Sequence, residues 1–404
     1  MFYKNKKLLI DNLEVDKIIK QFGTPLYCYS YDQLKINISK FKGYFNKVNP
    51  LICFAVKANN NLRILSEIAR LGLGADVVSK GELMVALKSK IQPKKIVFSG
   101  VGKTSDEIEY AAKKNILLIN AESQSEINVI SKVAKKINRK INIGIRLNPN
   151  VDAKTIKEIT TGKYSNKFGL IEKEVIKLIN QYKFSKYLRI KCLSAHIGSQ
   201  ITSHIPYLKM LKSIQKIIDQ TKFKFEYIDL GGGMGINYGQ NKQKLDYKKY
   251  SKQIEKFVKK NNVKIIFEPG RSIIGNTGYL FTKIIYIKKT DKINFVILNT
   301  GMNDLMRPAL YGAFHRTLPV IKSNKVSNKT NEFVGPICES TDKFITLKKF
   351  QKLEEKDLIA ICDVGAYGMS LSSNYNLRPK PIELLIKGSK INVIRKRQKH
   401  SDII

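Results

Sequence analysis

Tryptophan is absent from the 404 residues, and histidine occurs only four times, at 196, 204, 315 and 400, never in HExxH spacing. That argues against a zinc-hydrolase centre. The five cysteines, Cys28, Cys53, Cys192, Cys338 and Cys362, are odd in number, widely separated and never paired as CxxC. They form neither a disulfide framework nor a structural zinc site. No apolar run approaches 18 residues, the length a membrane span needs. The N-terminal stretch MFYKNKKLLIDNLEVDKIIK mixes charge with apolar residues and lacks a signal-peptide core. A reduced, soluble, cytoplasmic protein is therefore expected. Acidic residues are also scarce, 33 against 73 basic ones, giving a net charge of +40. Yet only 11 of the basic residues are arginine, and the lysines are spread along the whole chain. Nucleic-acid recognition concentrates arginine on one face, so no nucleic-acid partner is expected. The charge is suited to steering anionic small molecules. Abundant Ile, Asn and Lys without Trp is what a genome rich in A and T encodes.

What is present is a rhythm. Short apolar runs recur at 51–56, 75–78, 96–99, 116–119, 141–147, 188–196, 227–230 and 265–267, separated by segments of helical periodicity. Three of those helices open on capping-box pairs, Ser79 with Glu82, Thr104 with Glu107 and Ser123 with Glu126. Eight strand–helix units predict an α/β fold, a closed (β/α)8 barrel of the TIM type. The alternative, a doubly wound open sheet, wants a glycine fingerprint after its first strand, where Lys57 stands instead. After Arg271 the pattern changes to short alternating runs, 280–287, 294–298, 358–362 and 382–386, which read as all-β. The expected division is a cofactor-binding barrel over 29–271. Residues 1–28 and 272–404 would form a β-sandwich or β-barrel domain that takes in the N-terminal strand. The charged tail from Lys387 onward is expected to be partly mobile.

Two motifs mislead. Gly102-Lys103-Thr104 suggests a P-loop, but the required earlier glycine is Val97, and Thr104 reads better as a helix cap. Gly231-Gly232-Gly233-Met234-Gly235 is not GxGxxG, because residue 236 is Ile.

In a barrel of this kind, active sites sit at the C-terminal ends of the strands. Those ends carry Lys57, Asp76, Arg146, His196 with Ser199, Gly231 to Gly233, and Glu268 to Arg271. Lys57 follows the apolar run LICFAV and is either expelled to solvent or held in a pocket as an amine nucleophile. The glycines after strand seven either make tight turns or open backbone N–H groups to a phosphate. A lysine on strand one, a phosphate site near strands seven and eight and a carboxylate at Glu268 together suit pyridoxal 5'-phosphate. Lys57 would hold its aldehyde, and Glu268 its pyridine nitrogen. His196 would lie against the ring, or else be an ordinary core histidine.

The segments FAVKAN, GADVVSKGEL, TTGKYSNKFGL, HIGSQI, DLGGGMGINY, EPGRSIIGNTG, MNDLMRPALYGAFH, VGPICESTDKF and DVGAYGMSLSSNYNLRPKP occur in that order over nearly the whole chain. In them the chain resembles the barrel-type pyridoxal-phosphate decarboxylases of basic amino acids, most closely the branch acting on diaminopimelate. The resemblance implies a PLP-dependent carboxy-lyase converting meso-2,6-diaminopimelate to L-lysine and carbon dioxide, the last step of lysine biosynthesis. It implies Lys57, His196, Ser199, Gly233, Glu268, Gly270, Arg271 and Tyr367 as cofactor residues. Arg271, Arg307, Tyr311, Glu339 and Tyr367 become substrate residues, with Cys338 the proton donor and Glu339 the holder of the distal ammonium. It also implies a homodimer in which the Cys338 loop enters the partner's site. The triplet Cys338-Glu339-Ser340 and the run RPALYGAFH favour diaminopimelate over ornithine, arginine or carboxynorspermidine. A non-catalytic carrier of the cofactor would match the barrel alone.

Overall fold

A computed structural model describes residues 1–153, 155–239 and 245–404. The chain divides into two compact units, one of Ile38–Ile236 with Lys242–Ile273, the other of Met1–Asn37, Asn237–Asn241 and Ile274–Ile404.

The first unit is the closed parallel barrel. Its strands are Leu51–Ala55, Gly74–Val77, Ile96–Phe98, Leu118–Ala121, Ile141–Leu147, Leu188–Ala195, Tyr227–Asp229 and Lys264–Phe267, and the last pairs with the first through Ile266 to Leu51 and Phe267 to Ile52. Because side chains alternate along a strand, every second residue points inward. The inward set begins as an apolar floor of Cys53, Val97, Leu118, Cys192 and Ile266. Two residues on toward the C-terminal ends, the interior turns polar: Ser99, Asn120 and Glu268 occupy the next level. On Leu188–Ala195 a register shift between Ile190 and Cys192 sets the phase of the strand that leads to His196.

The expected helix starts hold, with a refinement. Thr104 and Glu107 form the full reciprocal capping box. Ser79 and Ser123 each cap their helix, but Glu82 and Glu126 reach one residue further back, to the N–H groups of Val78 and Glu122. Lys103, the lysine of the false P-loop, is buried and paired with Glu126 at 2.7 Å. It has no opening onto a phosphate.

In the second unit, Leu26–Ser30 lies at the centre of a large sheet. It runs antiparallel to Gly278–Lys289 and parallel to Ile382–Lys387, so the N-terminal strand does join the C-terminal β structure. A core of Leu26, Cys28, Phe281, Ala360, Leu384 and Ile386 fills one face. Phe2–Lys4, Lys7–Ile10 and Leu13–Glu14 form a separate three-stranded sheet. The expected mobile tail is instead built into the large sheet: Lys390–Arg395 pairs with Ile382–Lys387. Arg395 meets the buried carboxylate of Glu383, and Arg397 donates to the carbonyls of Pro25 (2.8 Å) and Phe22 (3.1 Å). Tail charges that read as solvated are thus bound within this unit. Among the described residues no helix is long and apolar enough to cross a membrane.

The outer wall of the barrel is held by aromatic packing around Phe267, which is fully buried and meets Phe45 at 4.5 Å, Phe41 at 5.7 Å and Tyr250 at 6.2 Å between ring centroids. Phe267→Ala leaves a ring-sized void there and is expected to cost about 3–5 kcal/mol. Thermal unfolding followed by circular dichroism should show a clearly lowered midpoint, and an unchanged one would mean that the wall does not depend on this cluster.

Candidate active site

Lys57 lies just past the first strand, in the single turn Val56–Ala58, which the bond from Asn59 N–H to the Val56 carbonyl closes. Its Nζ stands 2.5 Å from Oδ2 of Asp76, a fully buried residue at the corresponding level of the second strand. The lysine itself is 38% exposed. The amine thus stands partly open beside a buried carboxylate. The other oxygen of Asp76 is buried and has no hydrogen-bond partner among the described residues.

Two more carboxylates share this level. Glu268, at the end of the last strand, is 9% exposed and accepts a hydrogen bond from Ser99 Oγ at 3.3 Å. Asp229, fully buried, accepts from Gly231 N–H at 2.9 Å and from Asn120 Nδ2 at 3.0 Å, and it shares a hydrogen bond with Glu268. Burial pushes the Glu268 carboxyl well above the ordinary range, and the charges of Asp229 and Asp76 push it further, while Lys57 opposes them. Asp229 is also raised, chiefly by burial. The cluster carries more potential negative charge than Lys57 balances, so Glu268 holds a proton or requires a cation.

His196 follows the sixth strand. Its Nδ1 accepts the Gly232 N–H at 3.1 Å, which leaves the ring proton on Nε2. Burial of most of the ring, followed by the charges of Arg146 and Lys57, holds it well below the ordinary histidine range, so the imidazole is neutral. Arg146 is itself occupied, by Glu122 at 2.7 Å and the face of Phe168 at 4.9 Å.

The glycine turn is narrower in function than its sequence suggests. Gly231 N–H is taken by Asp229 and Gly232 N–H by His196. Gly233 N–H is left without an internal partner among the described residues. Gly233 has φ of +85°, and a Cβ there would fall 2.2 Å from the Gly198 carbonyl oxygen, so only glycine fits. Ser199 Oγ lies 3.1 Å from Arg271 Nη2 in the same unit, and a Cβ on Gly270 would strike Ala58.

These residues fit pyridoxal phosphate on three counts. There is a lysine amine at the rim and a buried carboxyl short of a cation for a pyridine nitrogen. Gly233 N–H, with the Ser199 hydroxyl and Arg271, offers a cradle that accommodates no side chain. Ser99 and Asn120 were not singled out from the sequence. Their only signal was placement at inward positions of barrel strands, where a stability core would carry apolar residues.

The remaining expected residues belong to the β unit. Arg307, 5% exposed, opens the short helix Arg307–Tyr311 and packs its guanidinium 5.0 Å from the centre of the Tyr238 ring. Tyr311 is half-buried at the other end. Tyr367, also half-buried, has φ of +59°, a conformation uncommon for an aromatic residue and typical of functional turns. Cys338 is exposed, whereas the other four cysteines are buried. Its loop is tied to Asp342, whose carboxylate accepts from Ile337 N–H (2.8 Å) and Met302 N–H (2.7 Å). Glu339 is exposed and accepts from the hydroxyls of Tyr375 (2.5 Å) and Thr341 (3.1 Å).

Residues 31–275 match the family model of the pyridoxal-dependent decarboxylases, pyridoxal binding domain. The chain is 41% identical to diaminopimelate decarboxylase of Helicobacter pylori over 391 residues, 96% of each protein. It is 36% identical to that of Aquifex aeolicus over 405 residues, covering 100% of this chain and 96% of that one. Among solved structures, diaminopimelate decarboxylase from Helicobacter pylori complexed with L-lysine superposes with a TM-score of 0.92 at 42% identity, covering 96% of this chain and 98% of that one. The enzyme from M. jannaschii, in co-complex with L-lysine, gives 0.94 at 36% identity, covering 99% and 95%. With a barrel whose rim suits this cofactor and relatives matched along nearly their whole length, the chain belongs to the diaminopimelate decarboxylase family of pyridoxal-dependent decarboxylases.

Proposed function

We propose that the chain converts meso-2,6-diaminopimelate to L-lysine and carbon dioxide at the barrel rim, using pyridoxal phosphate bound through Lys57. The observation that carries this reading is the pairing of an open lysine amine with a buried carboxylate cluster short of one cation. The product assignment is supported by the L-lysine named in the two solved relatives. When bound, pyridoxal phosphate supplies an electron sink for the pair left on carbon as carbon dioxide departs.

The chain's own residues then have distinct tasks. Asp76 holds the Lys57 amine in position. Glu268 would pair with the pyridine nitrogen and carry or accept its proton. His196, neutral, would pack against the ring without adding a competing cation. Ser199, Gly233 N–H, Gly270 and Arg271 would hold the phosphate. Arg271, Arg307, Tyr311 and Tyr367 contact the substrate, with arginine chosen for its bidentate grip on carboxylate. Cys338, with its exposed thiol, donates a proton from Sγ to the carbon that lost its carboxylate, and Glu339 pairs with the distal ammonium. Exposure of both residues supports their use in the site of a second copy, in a homodimer with shared sites. The cytoplasm is the setting this biosynthetic role implies.

Borohydride reduction of the cofactor-loaded protein followed by peptide mapping should place the label on Lys57, and carbon dioxide should be released from diaminopimelate but not from ornithine or carboxynorspermidine. A label elsewhere sinks the site, and release from ornithine alone sinks the substrate. Cys338→Ala should retain cofactor while turnover falls about 10²- to 10⁴-fold, the usual range for a lost proton donor. Mixing it with Lys57→Ala should recover part of the activity, and no recovery would count against shared sites.

Glu268 gives a prediction of opposite signs for stability and binding. An unfolded glutamate ionises near its ordinary value, whereas folded Glu268 keeps its proton to higher pH. The folded cofactor-free protein therefore loses stability as pH rises from the unfolded value through the folded one. Glu268→Gln removes that loss, so the variant's melting temperature should exceed the wild type's more at pH 8 than at pH 5, while cofactor affinity drops. Equal melting temperatures at both pH values would show that Glu268 is not held protonated.

A further inference from the structure

We infer that His315 is a positioning residue for substrate recognition, fixing the guanidinium of Arg307 through a neutral acceptor. The inference rests on the proposed reading of Arg307 as a carboxylate-gripping residue.

The geometry allows one protonation state. His315 is 1% exposed, its Nδ1 lies 2.8 Å from the Cys362 carbonyl oxygen, and its Nε2 lies 2.8 Å from Arg307 Nη1. A carbonyl oxygen only accepts, so Nδ1 carries the proton; a guanidinium nitrogen only donates, so Nε2 presents a lone pair. The Nδ1–H tautomer satisfies both contacts at once. The Nε2–H tautomer satisfies neither, and an imidazolium would set two cations against each other. Tyr238 closes the arrangement, presenting its ring to the Arg307 guanidinium and standing nearly perpendicular to the His315 ring at 5.3 Å.

The contact fixes the plane of the guanidinium, and because a neutral imidazole makes it, it brings no negative charge of its own to compete with a substrate carboxylate. His315 is delivered to this place by the turn after the helix Arg307–Tyr311, where Gly312 takes φ of +59°. The strand carrying Cys362 supplies the carbonyl that locks the tautomer.

The test uses the cofactor-loaded enzyme and steady-state kinetics with diaminopimelate. His315→Leu removes the acceptor and should raise KM about 10-fold or more, as expected when a buried charged donor loses its partner, with kcat changed far less and the visible cofactor band unaltered. His315→Gln restores an acceptor where Nε2 stood and should recover most of the KM. A His315→Leu enzyme with wild-type KM overturns the inference, as does a His315→Gln enzyme no better than His315→Leu. Arg307→Leu, measured alongside, separates the two levels: an unchanged KM there defeats the reading of Arg307 itself. Nitrogen-15 spectra of histidine-labelled wild-type enzyme test the claim without any substitution. His315 should report the Nδ1–H tautomer, and an Nε2–H signal would refute the proposed role even if the leucine variant does not fold.

Discussion

The buried carboxylates of the barrel are the constraint on which the site depends. Asp76, Asp229 and Glu268 sit directly above a floor of Cys53, Val97, Leu118, Cys192 and Ile266. Charge is expensive in such a place unless it is paired or hydrogen-bonded. Asp76 has Lys57, and Asp229 has Gly231 N–H and Asn120. Glu268 has a serine hydroxyl and a neighbouring acid. This unequal distribution of partners makes Glu268 the group that gains most from a cationic ring nitrogen. On the proposed reading, the burial that raises Glu268 is also what would favour the cofactor's ring nitrogen.

The same alternation that builds the barrel builds the site. Moving two residues along a strand keeps the side chain pointing inward while raising it one level. Val97 leads to Ser99, Leu118 to Asn120 and Ile266 to Glu268, so the change from floor to active site takes one step on each strand. Ser99 receives an Asn120 N–H and passes its own hydrogen to Glu268, giving the chain of donors a fixed direction. A core built only for stability would continue the apolar levels upward.

That regularity made the barrel legible from sequence. The eight apolar runs coincide with the eight strands to within a few residues, and strand ends identified Lys57, Asp76, His196 and Glu268 as the polar rim. Ser99 and Asn120 escaped notice because short neutral side chains carry no signal without knowledge of which face they occupy. The glycine turn was legible as a turn, but the sequence could not reveal that Asp229 and His196 consume two of its three N–H groups. The C-terminal strand Lys390–Arg395 was hidden by its charges, since Arg395 reads as solvent-facing until the buried Glu383 is known. Long-range pairing of that kind leaves no mark on local periodicity.

The two compact units solve opposite electrostatic problems. The barrel unit assembles negative charge beyond what Lys57 matches, as suits a cationic nitrogen. The β unit sets the Arg307 guanidinium against a ring nitrogen of His315, a neutral acceptor that suits the proposed grip on a carboxylate. On the proposed reading, a cationic ring nitrogen answers the first and a substrate carboxylate the second. If Arg307 grips a carboxylate as proposed, specificity follows from sign as well as shape, because a substrate lacking the second carboxylate offers that guanidinium no anion. The surplus of lysine contributes differently, as a diffuse surface field that salt screens within about 10 Å at 0.1 M ionic strength. It can hasten the arrival of an anion, but it cannot choose between diaminopimelate and ornithine. That choice requires a charge that is both buried and fixed in direction.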